Sequence, residues 1–338
     1  MMVEHYVMDK QKTTFRCACA GLLLIACPAA FADDGKGSLS IALENDLFGA
    51  GTDQHYTHGT EITYVSDTYH PRWVTAVADG LGLYDEGDDL RFAWALGQQM
   101  FTPSDLSRTD LIENDRPYAG WLYASVGTTI ESQAHASIRT IDKLELLLGV
   151  VGPESRAEQV QHSVHKVLDS AEPRGWDNQL HNEATVDVQY QREWVVPLVG
   201  NSVDVVPRVG VSLGTSQRYA GAGFTFRVGS GLDADAGPPL IRPAATGSHF
   251  FLPDQSFYWY LFAGAHGRYV DHNIFLDGNA DGDSHSVDRE EWVGEVQAGL
   301  VMGLRNWRLA ITEIYRSREF RGQAEPDEFG SIALSYRF

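Results

Sequence analysis

In the stretch AEQVQHSVHKVL (157–168), Gln161 and His165 stand four residues apart, the spacing that stacks two side chains on one helix face. A neutral imidazole can take a proton from water near pH 7, and a carboxamide one turn away can orient it. A second group lies early in the chain, where Glu44-Asn45-Asp46-Leu47-Phe48 closes one alternating segment and Tyr56-Thr57-His58-Gly59 opens the next. If the two segments form a hairpin, Asn45, Asp46 and Thr57 share its rim. A carboxylate there can hold a hard cation through oxygen, and the cation with an amide or hydroxyl can stabilise the oxyanion formed when water attacks an ester. Ordinary readings stand beside the chemical one. Asn and Asp commonly close strands as turn residues, and a helix bearing His and Gln is more often packed or solvated than catalytic. Ser163 is two residues from His165 and so points to another helix face, and no G-x-S-x-G elbow is evident; water, not serine, is the expected nucleophile.

The helix that carries His165 is expected within SRAEQVQHSVHKVLDS, with Val160, Val164 and Val167 on one stripe, bounded by Gly152-Pro153 before it and Pro173-Arg174-Gly175 after. Its surroundings alternate apolar and polar residues. Twelve such segments can be counted: 38–45, 57–65, 90–98, 119–127, 141–151, 184–194, 202–214, 220–229, 256–270, 290–304, 307–318 and 328–338. An even number of alternating strands suits a closed antiparallel barrel. By parity Asn45 continues the row of Leu39, Ile41 and Leu43, which a barrel would turn to lipid; an amide there is costly unless it is paired or sits at headgroup level. Aromatics near strand ends (Tyr64, Trp94, Trp121, Tyr123, Trp194, Tyr258, Trp259, Tyr260, Trp292, Trp307) are expected in interfacial girdles. The longer connections, 46–56, 66–89, 99–118, 152–183, 230–255 and 271–289, are expected to share the extracellular side.

Both chain ends agree with export to an outer membrane. The last residues, GSIALSYRF, put Ile332, Leu334, Tyr336 and Phe338 on one face and Ser331, Ala333, Ser335 and Arg337 on the other. This resembles the terminal strand that outer-membrane barrels present to the barrel assembly machinery, although a final strand of a soluble sandwich would alternate too. At the other end, Lys10, Lys12 and Arg16 precede a short apolar run from Cys17 to Ala26, and Ala30-Phe31-Ala32 fits a cleavage site. Residues 1–32 therefore read as a signal peptide and 33–338 as one barrel domain, while Leu24-Ile25-Ala26-Cys27 leaves a lipobox reading open. Cysteines 17, 19 and 27 all lie in the signal, so cleavage would leave no disulfide, thiolate zinc site or cysteine nucleophile. The formal charge is −20; the first 32 residues carry three positive and two negative side chains, so the remainder carries −21. That balance argues against nucleic acid and suits cation binding or solubility.

The segments ENDLF (44–48), DQHYTHG (53–59), DRPYAGWLY (115–123), GPESRAEQVQHSVHK (152–166) and GWDNQLHNE (175–183) together resemble the lipid A 3′-O-deacylase family of Gram-negative outer membranes, over essentially the whole mature chain. The resemblance implies a twelve-stranded transmembrane barrel with its site on the outer, lipid-facing wall. A calcium-dependent hydrolase there would remove the 3′-linked acyloxyacyl chain of lipid A, the lipid anchor of lipopolysaccharide. In the family's pattern the histidine of the Q-x-x-x-H helix is the proposed base, here His165, with Gln161 beside it. The Asn-Asp pair matches Asn45 and Asp46, with Asp46 the metal candidate, and the threonine opening the second strand matches Thr57. Two positions depart from the pattern. The acidic residue expected after the histidine falls on Ala171, with Glu172 next to it; the basic residue expected after the third strand has Arg108 as its nearest candidate. Glu172 and Arg108 are carried as substrate candidates, a guanidinium being suited to lipid A phosphate. GWDNQLHNE can instead serve as a lock, with Trp176 as anchor and Asp177, Asn178 and Asn182 as turn and cap residues. The competing functions are an outer-membrane phospholipase, which would carry a serine nucleophile, and a non-enzymatic porin or adhesin.

Overall fold

The computed structural model describes residues 37–46, 54–67, 70–135, 138–168, 172–235, 237, 251 and 257–338. The segment read as a signal, its expected cleavage site and Ala171 lie outside these. Twelve strands form: β1 (Gly37–Asn45), β2 (His55–Ser66), β3 (Asp89–Thr102), β4 (Ala119–His135), β5 (Ile138–Val151), β6 (Glu183–Val199), β7 (Val203–Gly214), β8 (Gln217–Ser230), β9 (Phe257–Asn273), β10 (Trp292–Leu304), β11 (Trp307–Arg316) and β12 (Asp327–Arg337). Each pairs antiparallel with its sequence neighbour, and β12 closes on β1 from Ser38↔Arg337 to Asn45↔Gly330. All twelve alternating segments are thus strands of one closed barrel. Closure leaves no unpaired edge, which is what lets strands cross a bilayer. Among the described residues no helix is long and apolar enough to cross a membrane.

Period 2 decides what faces lipid. Leu39, Ile41 and Leu43 are exposed while Ser40, Ala42 and Glu44 are buried; in β12 Ile332, Leu334 and Tyr336, and Phe338 just after it, are exposed while Ser331, Ala333 and Ser335 are buried. Inward rows meet through ion pairs such as Arg227 with Asp204 and Lys143 with Glu193. Aromatic layers fill the lumen at two levels. Tyr56, Phe101, Trp121, Tyr123, Phe275 and Phe329 cluster at one, and Leu232, Phe251, Tyr258, Tyr260 and Phe262 at the other. Trp121, Tyr123, Tyr258 and Tyr260, expected in the girdles, are therefore lumen residues. They sit one residue out of phase with the outward row, so strand-end position misled where parity would not have. Trp259, Trp292 and Trp307 do face outward.

The expectation that six long connections share one end also fails. Successive connections of an up-and-down barrel alternate ends, so β2–β3 (67–88) and β8–β9 (231–256) belong to the same end as the start of β1, the end of β12 and the short links 200–202 and 305–306. That is the periplasmic end, where such barrels keep their short turns. The outer end carries 46–54, 103–118, 152–182, 274–291 and 317–326, the last of which the alternation pattern did not mark as long. Among the described residues three α-helices interrupt the connections: α1 (Arg72–Gly80) at the periplasmic end, and α2 (Ala157–Leu168) and the single turn α3 (Ile274–Asp277) at the outer end.

Candidate active site

How α2 reaches the barrel wall is set by the residues around Gly152. Gly152 adopts φ 97°, a conformation natural to glycine, and its N–H donates to the Gly120 carbonyl at 3.0 Å. A 3-10 turn at Pro153–Ser155 follows, with the Glu154 N–H capped by Asn182 Oδ1 at 2.8 Å. Gln98, on the outward row of β3, donates through Nε2 to the Ser155 carbonyl at 2.6 Å. Gly120 lies on the outward row of β4, where a Cβ would collide with Ala157 Cβ and Ser155 Oγ. The absent side chain is what lets α2 lie down. Beneath it Met100, Leu106, Tyr118, Ala157 and Trp176 form a buried cluster outside the barrel, with Val160 packed against it.

The face α2 turns inward carries polar side chains as well as apolar ones. Ala157, Gln161 and His165, at i, i+4 and i+8, are buried, whereas Val164 is exposed. A polar stripe pressed against an outer wall must find partners there. Trp176 Nε1 donates to Gln161 Oε1 at 2.8 Å, and because an indole N–H only donates, the amide orientation is fixed. Gln161 Nε2 is left buried with no hydrogen-bond partner among the described residues. Trp176 is held in turn by Tyr118, ring centroids 4.9 Å apart, and by a strap: Leu180 N–H donates to the Tyr118 carbonyl and Asn178 Nδ2 to the Thr109 carbonyl, each at 2.9 Å. GWDNQLHNE does therefore lock this loop. Ser163 is exposed and donates to the Gln159 carbonyl at 2.7 Å, which leaves no Ser-His dyad on the helix.

The first hairpin supplies the second half. Asn45, at the end of the lipid-facing row of β1, donates through Nδ2 to the Thr57 carbonyl at 2.8 Å and lies 3.4 Å from His58 Nδ1. Asp46 is buried and its Oδ2 accepts the Gln54 N–H at 2.6 Å. A β-bulge between Tyr56 and His58 frees Thr57 from the regular register, and its Oγ1 meets Thr102 Oγ1 at 2.6 Å. Thr102 and Met100 share the outward row of β3, about 7 Å apart at strand spacing. Since Met100 lies in the cluster beneath α2, β3 is the platform common to Thr57 and to the helix of Gln161 and His165. His58, half-buried on the outward row with Nε2 at 2.7 Å from Thr60 Oγ1, is a second imidazole at the rim that sequence reasoning passed over. Gln98, Thr102 and Gly120 were missed as well; only their outward parity beside the helix marks them.

The two substrate candidates stand further out. Arg108 is exposed and pairs with Asp110, which raises its already high pKa; a phosphate would have to displace Asp110. Glu172 is exposed, with Oε1 3.9 Å from His162 Nδ1, on a different stripe of α2 from His165. Among the described residues no three His, Cys, Asp or Glu side chains gather as for a metal. The rim instead offers oxygens, from the Asp46 carboxylate, the Asn45 amide and the Thr57 hydroxyl and carbonyl. An oxygen-only set with one carboxylate fits a hard cation such as Ca²⁺ and not a zinc-type cage.

The fold is a closed transmembrane barrel, and Asn45, Thr57 and the helix of Gln161 and His165 lie on its outer wall and not in its lumen. The family model described as outer membrane protein LpxR matches residues 17–338, and the chain belongs to the LpxR family. LpxR from Salmonella typhimurium superposes with a TM-score of 0.73 at 19% identity, covering 89% of this chain and all of that one (100%). The β domain of the Bordetella autotransporter BrkA is more distant, at a TM-score of 0.44 and 12% identity over 90% of this chain and 99% of that one. Among curated protein sequences none matches significantly.

Proposed function

We propose that this protein is a lipid A 3′-O-deacylase, an esterase that removes the 3′-linked acyloxyacyl chain from lipid A in the outer leaflet. Membership of the LpxR family supports this. The observation that carries it is the placement of polar groups. Asn45 ends an apolar, lipid-facing row at the outer rim, and the helix over the neighbouring wall buries Gln161 and His165 against that wall. Such groups can act on the ester of a lipid lying beside the barrel, at the height where sugar and acyl chain meet. The filled lumen gives the transport reading no comparable support.

In this reading His165 accepts a proton from water as the water oxygen bonds to the ester carbonyl carbon. Collapse of the tetrahedral oxyanion breaks the bond to the sugar 3′ oxygen, and the imidazolium returns its proton to that oxygen. Gln161, fixed by Trp176, presents Nε2 as a donor. Asn45 and Thr57 shape the rim, and Asp46 with the neighbouring oxygens would hold Ca²⁺. A bound cation would add positive charge where the oxyanion forms. Arg108 is the candidate for lipid A phosphate. The chain would enter the membrane through the barrel assembly machinery by its β12 strand.

The test is the mass spectrum of lipid A from a Gram-negative host expressing the wild type, His165→Ala or His58→Ala. Loss of one acyloxyacyl unit with the wild type and His58→Ala, but not with His165→Ala, is expected. Unchanged lipid A from a folded wild type would overturn the deacylase reading, and a silent His58→Ala beside an active His165→Ala would move the base to the hairpin.

A further inference from the structure

Helix α1 in the periplasmic connection 67–88 has a role that the outer site does not use. Its sequence RWVTAVADG puts Trp73 and Val77, followed by Leu81, at i, i+4 and i+8, and all three are exposed. The adjoining stripe of Val74 and Ala78 is buried. Arg72, Thr75 and Asp79 occupy the remaining side, so one half of the helix is apolar and only part of that half is covered by protein.

What covers the rest is indicated by where the helix lies. Trp73 meets Phe92 edge to face, ring centroids 6.1 Å apart. Phe92 belongs to the outward row of β3 that continues through Trp94 and Leu96, so α1 sits outside the barrel, against the lipid-facing wall. On that wall an arc of rings marks the periplasmic interface. Trp94 stacks on Tyr64 at 6.0 Å, Tyr64 on Phe338 at 6.3 Å, Phe338 on Tyr336 at 6.3 Å, and Tyr336 meets Trp307 at 4.7 Å. Aromatic belts of this kind sit at headgroup level. Phe92 is two residues beyond Trp94 towards the periplasm, so Trp73 extends the arc by one step and the exposed stripe of α1 is continuous with it.

We propose that α1 is an interfacial helix which lies along the periplasmic leaflet of the outer membrane and embeds Trp73, Val77 and Leu81 among phospholipid acyl chains, with Arg72 and Asp79 on its aqueous side. An amphipathic helix of this pattern gains its membrane affinity from the apolar area it buries at the headgroup boundary. The site proposed for lipid A is not involved, and the inference holds whether or not that activity does.

Nitroxide accessibility in phosphatidylethanolamine and phosphatidylglycerol vesicles tests it, with the label on a cysteine introduced by Val77→Cys or, as the aqueous reference, Asp79→Cys. Both positions are exposed, so neither change disturbs the core, and heat-modifiable migration verifies that each barrel is folded. The label at 77 should collide more with oxygen than with an aqueous nickel chelate, and the label at 79 the reverse. Equal access of the nickel chelate to both would overturn the proposal. Shielding of position 77 from both reagents would also overturn it, because a protein and not lipid would then cover the stripe.

Discussion

Helices α1 and α2 lie on the outer face of the same strand, β3, at its two ends, and they solve opposite problems. The periplasmic helix buries Val74 and Ala78 and leaves an apolar stripe outside. The outer helix buries Gln161 and His165 and leaves Val164 outside. A helix that only had to cover the wall would bury apolar residues against it, as α1 buries Val74 and Ala78. Pressing a glutamine and a histidine against a lipid-facing wall carries a desolvation cost, and among the described residues the Gln161 amide nitrogen has no partner there. Local patterning is broken at α2 and kept at α1, the difference expected between the proposed site and the proposed anchor.

The strongest way to break that contrast is to remove the proposed base. His165→Ala should lower deacylation by about 10²–10⁴-fold, the usual contribution of a general base, with the barrel folded. Trp73→Ala in α1, measured by the same lipid A mass spectrum, should leave turnover nearly unchanged. Comparable losses at both helices would mean that α2 is only packing. A smaller effect is expected from moving α2 without touching its side chains. Gly120→Val places carbon where Ala157 Cβ and Ser155 Oγ now lie, so the helix must lift. Overpacking of this kind costs about 1–3 kcal/mol, and turnover should fall roughly 10–100-fold while heat-modifiable migration persists.

Trp176→Phe sharpens the comparison further, because it keeps the ring on Tyr118 and removes only the N–H that fixes Gln161. Loss of one hydrogen bond worth about 1 kcal/mol predicts a fall in kcat of roughly fivefold with KM unchanged. A rise in KM alone would assign Trp176 to lipid binding. The third helix supplies a control on the lumen side of the wall, where Phe275 stacks on Phe101. Asp277 in α3 is held below the usual carboxylate range: burial pushes it up, but the hydrogen bond from His272, the Asn273 N–H and the Arg289 guanidinium outweigh that. Its contribution is present above the unfolded carboxylate value near 4 and is lost as pH falls through the lower folded value. Asp277→Asn should cost about 1–2 kcal/mol at neutral pH and flatten the acid limb of the heat-modifiability midpoint, with deacylation little changed.

These contrasts were unequally visible in the sequence. Strand rows were legible because burial in a barrel follows parity, and parity placed Asn45 on the lipid side correctly. The i, i+4 spacing of Gln161 and His165 was legible for the same kind of reason. The buried face of α2 was not, since periodicity favours the valines and only the Trp176 indole and the Gly120 gap explain the rotation. Thr102 and Gln98 were hidden because both depend on which segment folds back over β3, a matter of loop path. The sides of the connections could have been counted from strand order, and were misread by weighing length instead.

The smallest effect expected is at Glu172, and it tests how far the family pattern extends along α2. An acidic residue after the base would ordinarily orient the imidazole or stabilise its charged form, and removing it would then cost nearly as much as removing the base. Here Glu172 is exposed and lies against His162, three residues before His165. An exposed pair of that kind is worth little, so Glu172→Gln should change turnover by less than about threefold and leave the pH profile in place. A loss of tenfold or more, with the profile displaced, would show that the end of α2 rearranges to bring a carboxylate to His165 when lipid is bound, and the outer helix would then differ from α1 in mobility as well as in the face it buries.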